Sequence, residues 1–295
     1  MSLRISEIFY SIQGEGSRAG HPSVFIRVFG CNFRCPGFGM PKGQVSTEPD
    51  EIANEVLANP DKYPTYESLP LARTGCDSYP SWHPKLKGYS PEMTAEEIIK
   101  KIDSVIPKNV DKNRIDIVFT GGEPLLKCNQ REIVDLLDKN REYFKNFDSF
   151  TFETNGTQEV LDEVKGVFSI DISRPLIISI SPKLSCSGVP SSKAIKPDVI
   201  SDIFDSVWLS GISHTYLKFV VNPEFIEDQL TEIEYVLQSI HPTHNVDIPV
   251  YLMPEGGTEE RYNDNMKKVA DVAMKKGYRF CPRLHVTLFG NSWAS

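Results

Sequence analysis

Three of the six cysteines in this 295-residue chain are placed to do chemistry. Cys31 and Cys35 form a C-x3-C pair just after the apolar run Val24-Phe25-Ile26-Arg27-Val28-Phe29. Cys76 opens the segment Cys76-Asp77-Ser78-Tyr79. Three thiolates gathered at one point can hold three irons of a cubane [4Fe–4S] cluster and leave the fourth iron open to a substrate or cofactor. A structural zinc site or core packing is the competing reading. Zinc usually takes four ligands in two close pairs, and no C-x2-C or H-x3-H pair accompanies these cysteines. On the cysteines alone the cluster and its rivals stand level. Cys128, Cys186 and Cys281 have no spacing partner and read as buried thiols.

A second segment, Thr120-Gly121-Gly122-Glu123-Pro124, follows the strand-like run Ile115-Asp116-Ile117-Val118-Phe119. Glycines there let the backbone approach a ligand, because no Cβ intervenes. Glu123 offers a carboxylate suited to an ammonium group. A cysteine triplet, a strand and then Gly-Gly-Glu resemble the radical S-adenosylmethionine (SAM) enzymes, whose usual cluster loop is C-x3-C-x2-C. Here residues 36–75 separate Cys35 from Cys76. Thr74-Gly75-Cys76-Asp77-Ser78-Tyr79 still resembles the segment that carries the third cysteine, so residues 36–74 read as an insertion inside the cluster loop. Pro36, Pro41, Pro49, Pro60, Pro64 and Pro70 punctuate it, and Glu51 to Leu57 could form one short helix. Loop-closure entropy grows slowly with length, so the insertion need not keep the cysteines apart.

Further segments narrow the resemblance. They are Ser6-Glu7-Ile8-Phe9-Tyr10-Ser11-Ile12-Gln13-Gly14-Glu15-Gly16, His21-Pro22-Ser23-Val24-Phe25-Ile26-Arg27, Ser181-Pro182-Lys183-Leu184-Ser185, Leu217-Lys218-Phe219-Val220-Val221 and Pro282-Arg283-Leu284-His285-Val286. Together they resemble the 7-carboxy-7-deazaguanine synthase family. The resemblance implies a radical SAM lyase that converts 6-carboxy-5,6,7,8-tetrahydropterin to 7-carboxy-7-deazaguanine with loss of ammonia, in 7-deazapurine (queuosine) biosynthesis. It implies that Cys31, Cys35 and Cys76 bind the cluster. SAM would be bound by Gly75, Cys76, Asp77, Gly122, Glu123, Glu153, Thr154, Asn155, Ser181, Pro182 and Lys183. Substrate would be bound by Ile12, Gln13, Gly14, Glu15, Arg27 and Thr120. Ser78 stands where the family usually has threonine, and its hydroxyl would help bind Mg²⁺, a hard ion that prefers oxygen. An electron donor such as a flavodoxin or ferredoxin is implied, and a homodimer is admitted.

Each residue also has a plainer reading. Ile12 to Glu15 could be an ordinary glycine-containing turn, Arg27 could snorkel to the surface, and Glu153-Thr154-Asn155-Gly156 could be a turn with Asn-Gly chemistry. The guanidinium of Arg27 otherwise suits a bidentate grip on the substrate's carboxylate. Two other functions stay open. One is a radical SAM activating enzyme acting on a partner protein, which needs no pterin pocket. The other is a non-enzymatic, zinc-stapled binding protein.

The elements that must hold these residues are strands and helices in alternation. Strand-like runs recur at 24–29, 115–119, 148–153, 176–181, 216–221 and 248–253. Helical patterns fall between them, at Thr94 to Ile99, around Glu132 to Leu137, at 224–239 and at 258–276. Thr94 with Glu97 three residues on predicts a capping box. Alternation of this kind implies parallel strands joined by crossovers. The expectation is an α/β fold of radical SAM type, an open partial (β/α) barrel of about six parallel strands, forming a single domain over 1–295. Ligand groups then belong at strand C-terminal ends, where Cys31, Thr120, Glu153 and Ser181 fall. His241 and His244, flanking Pro242, read as loop residues.

Composition adds bounds. Hydrophobic residues make up 40% and charged residues 24%, ordinary for a soluble globular enzyme. A net charge of -8 argues against broad nucleic-acid binding through phosphate neutralisation. No apolar stretch approaches a membrane span and no signal peptide is visible, so the expected location is cytoplasmic.

Overall fold

The six apolar runs become six neighbouring parallel strands because their alternate residues serve different faces. In Asp116–Gly121, Ile117 and Phe119 join the main core, while Thr120 points the other way into a cavity. Phe150 and Phe152 against Glu153, and Leu217 and Phe219 against Lys218, repeat the division. A computed structural model describes residues 2–209, 213–243, 248–256, 258–290 and 292–294. His244 lies outside the described residues.

The strands are β1 (Leu3–Ile12), β2 (Pro22–Val28), β3 (Glu92–Met93), β4 (Asp116–Gly121), β5 (Phe150–Thr154), β6 (Leu176–Ile180), β7 (Ser213–Val221), β8 (Val250–Pro254) and β9 (Arg279–Phe280). They form one sheet in the order β3-β1-β2-β4-β5-β6-β7-β8-β9. From β2 through β4 to β9 every neighbouring pair is parallel. β1 and β3 add an antiparallel margin that the strand count did not anticipate. A register irregularity between Ile5 and Glu7 interrupts the alternation of β1, which hides it from a period-2 reading. β9 is only two residues long, too short to carry a pattern.

The helices are α1 (Glu48–Ala58), α2 (Ala95–Val105), α3 (Lys127–Lys139), α4 (Arg141–Phe144), α5 (Asp162–Gly166), α6 (Ser191–Ala194), α7 (Pro197–Leu209), α8 (Ile226–Ser239), α9 (Glu259–Lys276) and α10 (Leu284–Phe289). The expected capping box opens α2. Glu97 N donates to Thr94 Oγ1 at 3.3 Å, and Thr94 N donates to Glu97 Oε2 at 2.8 Å. Helix residues such as Ile98, Ile133, Leu136, Ile233 and Val269 cover one face of the sheet. The other face curls around a cavity of about 280 Å³ lined from β1 (Phe9) to β8 (Met253). The two ends of the sheet, β3 and β9, do not pair, so the barrel stays open. No helix among the described residues is long and apolar enough to cross a membrane.

Residues 36–74 are not structureless. They hold α1, which extends the expected 51–57 helix to 48–58, and a second core of Ile52, Ala53, Val56, Tyr63, Tyr66, Leu69 and Ala72. Tyr79 and Leu86 complete that core, and Trp293 packs against it. Trp293 donates from Nε1 to the Leu69 carbonyl at 2.7 Å and meets Tyr66 edge-on, centroids 5.2 Å apart.

Candidate active site

Cys76 reaches the C-x3-C pair because the long excursion between them is clasped at its base. Gly75 N donates to the Phe38 carbonyl at 2.7 Å, and Ser46 N to the Pro36 carbonyl at 2.8 Å. One oxygen of Glu48 accepts from Thr74 N at 2.8 Å, Thr74 Oγ1 at 2.7 Å and Arg73 N at 3.1 Å. All three cysteines then share an apolar nest with Phe33, Phe38, Val189, Ala194 and Ile195. Burial pushes the thiol of Cys31 up to about 12 and that of Cys76 to about 11, and raises Cys35 as well; Lys183 opposes all three shifts. Thiolates are the metal-binding form, so this nest favours them only when a cationic centre is bound. Zinc–sulfur bonds of about 2.3 Å keep the sulfurs on one ion within about 4.6 Å of each other. The cysteine sulfurs do not all converge within 4.8 Å, and among the described residues only His21, Asp116 and Asp148 do so. That group already carries the Arg18 guanidinium on both carboxylates. The three sulfurs as placed are therefore too far apart to share one zinc ion. Of the remaining thiols, Cys281 is buried and Cys186 half-buried, whereas Cys128 is exposed on α3, contrary to the expectation of burial.

Gly121 and Gly122 line the cavity at the end of β4. A Cβ on Gly122 would stand 2.0 Å from the Gly30 carbonyl oxygen, so this crossing of two loops requires glycine. Glu123 does not line the cavity. Its buried carboxylate accepts from Thr154 Oγ1 at 2.7 Å, Asn155 N at 2.7 Å and Leu125 N at 2.9 Å. Burial raises its pKa and these donors pull it back. Glu123 thus fixes the β5 loop, and Glu153, Thr154 and Asn155 face the cavity. Asn155 Nδ2 donates to Asn32 Oδ1 at 2.8 Å, tying that loop to the segment between Cys31 and Cys35. Ser181 and Lys183 line the same cavity, 3.1 Å apart through Oγ and Nζ, while Pro182 does not.

Gln13, Glu15, Arg27, Thr120, Gly75, Cys76, Asp77 and Ser78 also line it; Ile12 and Gly14 do not. Ile12 ends β1 opposite Pro22, and a Cβ on Gly14 would meet His285 Nδ1 at 2.1 Å. Glu153 accepts from Thr120 Oγ1 at 2.7 Å and from Gln13 Nε2 at 3.3 Å. Gln13 Oε1 in turn accepts from Glu15 N at 3.0 Å. Ser78 Oγ accepts from Arg27 Nη1 at 3.2 Å and donates to Asp77 Oδ1 at 3.3 Å.

A chain of charges crosses the floor. Lys218 Nζ pairs with Glu15, Arg283 Nε lies 3.5 Å from the other oxygen of Glu15, and Arg283 Nη2 donates to Asp77 at 3.0 Å. Burial would raise Glu15, but Lys218 and Arg283 hold it down at about 2. Burial and the neighbouring Arg283 lower His285 to about 4, leaving it neutral. The site is a polar cavity at the strand C-terminal ends beside three gathered thiols.

Comparison with known proteins decides the family. The family described as a 4Fe-4S single cluster domain matches residues 12–173. A 7-carboxy-7-deazaguanine synthase from Halobacterium salinarum is 32% identical over 99% of this chain and 92% of its own length. The chain belongs to the 7-carboxy-7-deazaguanine synthase family of radical SAM enzymes. A synthase of the same name from Rhodopirellula baltica is 28% identical over 98% of this chain and 88% of its own. A crystal structure of QueE from Escherichia coli aligns with a TM-score of 0.49 at 19% identity, covering 95% of this chain and 93% of that chain.

In this synthase-family chain, sequence reading assigned no role to Lys218, Arg283 or Glu7. Lys218 sits between Leu217 and Phe219 in a buried strand, and a lysine there signals a buried partner. Arg283 lies in the quoted Pro-Arg-Leu-His segment, but nothing local names its partners, which come from residues 15 and 77.

Proposed function

We propose that the chain converts 6-carboxy-5,6,7,8-tetrahydropterin to 7-carboxy-7-deazaguanine with loss of ammonia. The observation that carries this is the meeting of Cys31, Cys35 and Cys76 at a cavity lined by Gln13, Glu15, Arg27, Thr120 and Glu153. The three cysteines would hold a [4Fe–4S] cluster, with SAM bound beside it. Cluster and SAM together supply one-electron chemistry that no side chain here provides. Gly75, Cys76, Asp77, Gly122, Glu153, Thr154, Asn155, Ser181 and Lys183 surround SAM, Pro182 shapes the backbone between the last two, and Glu123 acts on SAM through the loop it fixes. Gln13, Glu15 and Thr120 offer donors and acceptors to the pterin edge, while Ile12 and Gly14 shape the backbone beside it. Arg27 takes the carboxylate. Ser78 and Asp77 supply oxygens for Mg²⁺.

An electron donor such as a flavodoxin or ferredoxin supplies the electron. Residues 36–74 are an insertion within a single catalytic domain. The convergence of buried polar groups on the cavity favours a small molecule over a partner protein. The test is anaerobic: protein reconstituted with iron and sulfide, then given the pterin, SAM and a reductant, with products weighed by mass spectrometry. Loss of ammonia from the pterin is expected. A cluster-loaded protein that cleaves SAM but leaves the pterin unchanged would overturn the substrate.

A further inference from the structure

Two cross-strand pairs lie side by side on the inner face of β1 and β2. Phe9 faces Phe25 and Glu7 faces Arg27. Residues two apart share a face of a strand, so the stacked phenyl rings, centroids 4.9 Å apart, adjoin the charged pair. Glu7 Oε2 accepts from Arg27 Nε at 3.3 Å, with the Glu7 side chain 2% exposed and that of Arg27 16%. The other oxygen, Oε1, is buried with no hydrogen-bond partner among the described residues. A buried carboxylate with a spare acceptor is costly; Arg27 offsets that burial most, and the backbone of Ala294 adds a further favourable contact.

The guanidinium explains the acid at this position. Arg27 has two edges that can grip a carboxylate with paired N–H groups: Nε with Nη2, and Nη1 with Nη2. Glu7 occupies Nε. Ser78 takes one of the two N–H groups of Nη1, and Nη2 makes no protein hydrogen bond among the described residues. Nη1 therefore keeps one N–H and Nη2 keeps both, so the two terminal nitrogens still have hydrogens to give a carboxylate.

We propose that Glu7 is a positioning residue that turns the Nη1/Nη2 edge of Arg27 toward the substrate carboxylate. The proposal rests on the reading of Arg27 as the carboxylate's partner. Its test measures anaerobic binding of two ligands, the 6-carboxy tetrahydropterin and a tetrahydropterin lacking the carboxylate. The proteins are wild type, Glu7→Gln, Arg27→Ala and the double variant, all cluster-loaded. Glu7→Gln is expected to weaken the carboxylated ligand about tenfold and leave the other unchanged. In the Arg27→Ala background it should cost nothing further. Equal weakening of both ligands, or an additive loss in the double variant, would overturn the proposal. If Arg27→Ala loses the carboxylated ligand selectively and Glu7→Gln does not, Glu7 alone is wrong. If Arg27→Ala binds both ligands normally, the reading of Arg27 falls first. Should Glu7→Gln not fold, Glu7→Asp carries the same comparison, and a selective loss again supports positioning while an equal loss overturns it.

Discussion

Glu15 is ionised in this fold because two cations hold it so, and that makes it a source of acid sensitivity. Its pKa lies near 2 against an ordinary 4.5. Its contribution to stability is therefore full above about 4.5 and lost as pH falls toward 2. Lys218→Met removes one of the two cations. The acid-unfolding midpoint, followed by circular dichroism, should rise, and stability at neutral pH should fall by about 3 kcal/mol. His285 works in a neighbouring window. Depressed from 6.5 to about 4, it binds its proton more readily when unfolded, so stability falls as pH drops from 6.5 toward 4. His285→Gln should flatten that part of the curve. At the cysteines, Cys76→Ala should abolish the cluster as fully as Cys31→Ala, measured by iron content and electron paramagnetic resonance; a normal cluster in Cys76→Ala would refute the split loop. That Cys31, Cys35 and Cys76 gather, and that Gln13 and Glu15 face the same cavity, was legible because residue type and spacing mark them. The direction of the Glu123 carboxylate was not, because the β5 loop sets it from 31 positions away.

Elements were legible where periodicity was clean. The capping box at Thr94 was written in two residues, and Thr94→Ala should cost about 1 kcal/mol, seen as a lower Tm with no change in cluster content. The excursion at 36–74 was legible as an insertion by composition, but its fold was not. Its core needs Tyr79, Leu86 and Trp293, which lie outside it, the last more than 200 positions on. Trp293→Ala removes the edge-on contact with Tyr66 and the bond to the Leu69 carbonyl. A loss of about 2–3 kcal/mol should appear as faster hydrogen exchange across 48–72, with β4 to β6 unchanged. Uniform acceleration over the whole chain would mean that the excursion does not open by itself.

At the scale of the whole molecule, the sheet gathers groups that the chain scatters from residue 13 to residue 285 onto one cavity. A cluster held by Cys31, Cys35 and Cys76, as proposed, would stabilise the native state by mass action. Loaded protein should melt higher than apo protein under anaerobic conditions, with slowed hydrogen exchange at 31–35 and 73–79. An equal Tm for the two forms would place the cluster off these loops. The open barrel also leaves two sheet margins, where the two-residue strands Glu92–Met93 and Arg279–Phe280 pair with only Leu3 and Arg4 of β1 and Tyr251 and Leu252 of β8. The first carries a charge pair, Arg4 with Glu92. Long flat margins template pairing between molecules, and short charged ones do not. With a net charge of -8 keeping molecules apart, the colloidal weak point shifts to pH values near the pI of about 5.4, where that repulsion vanishes.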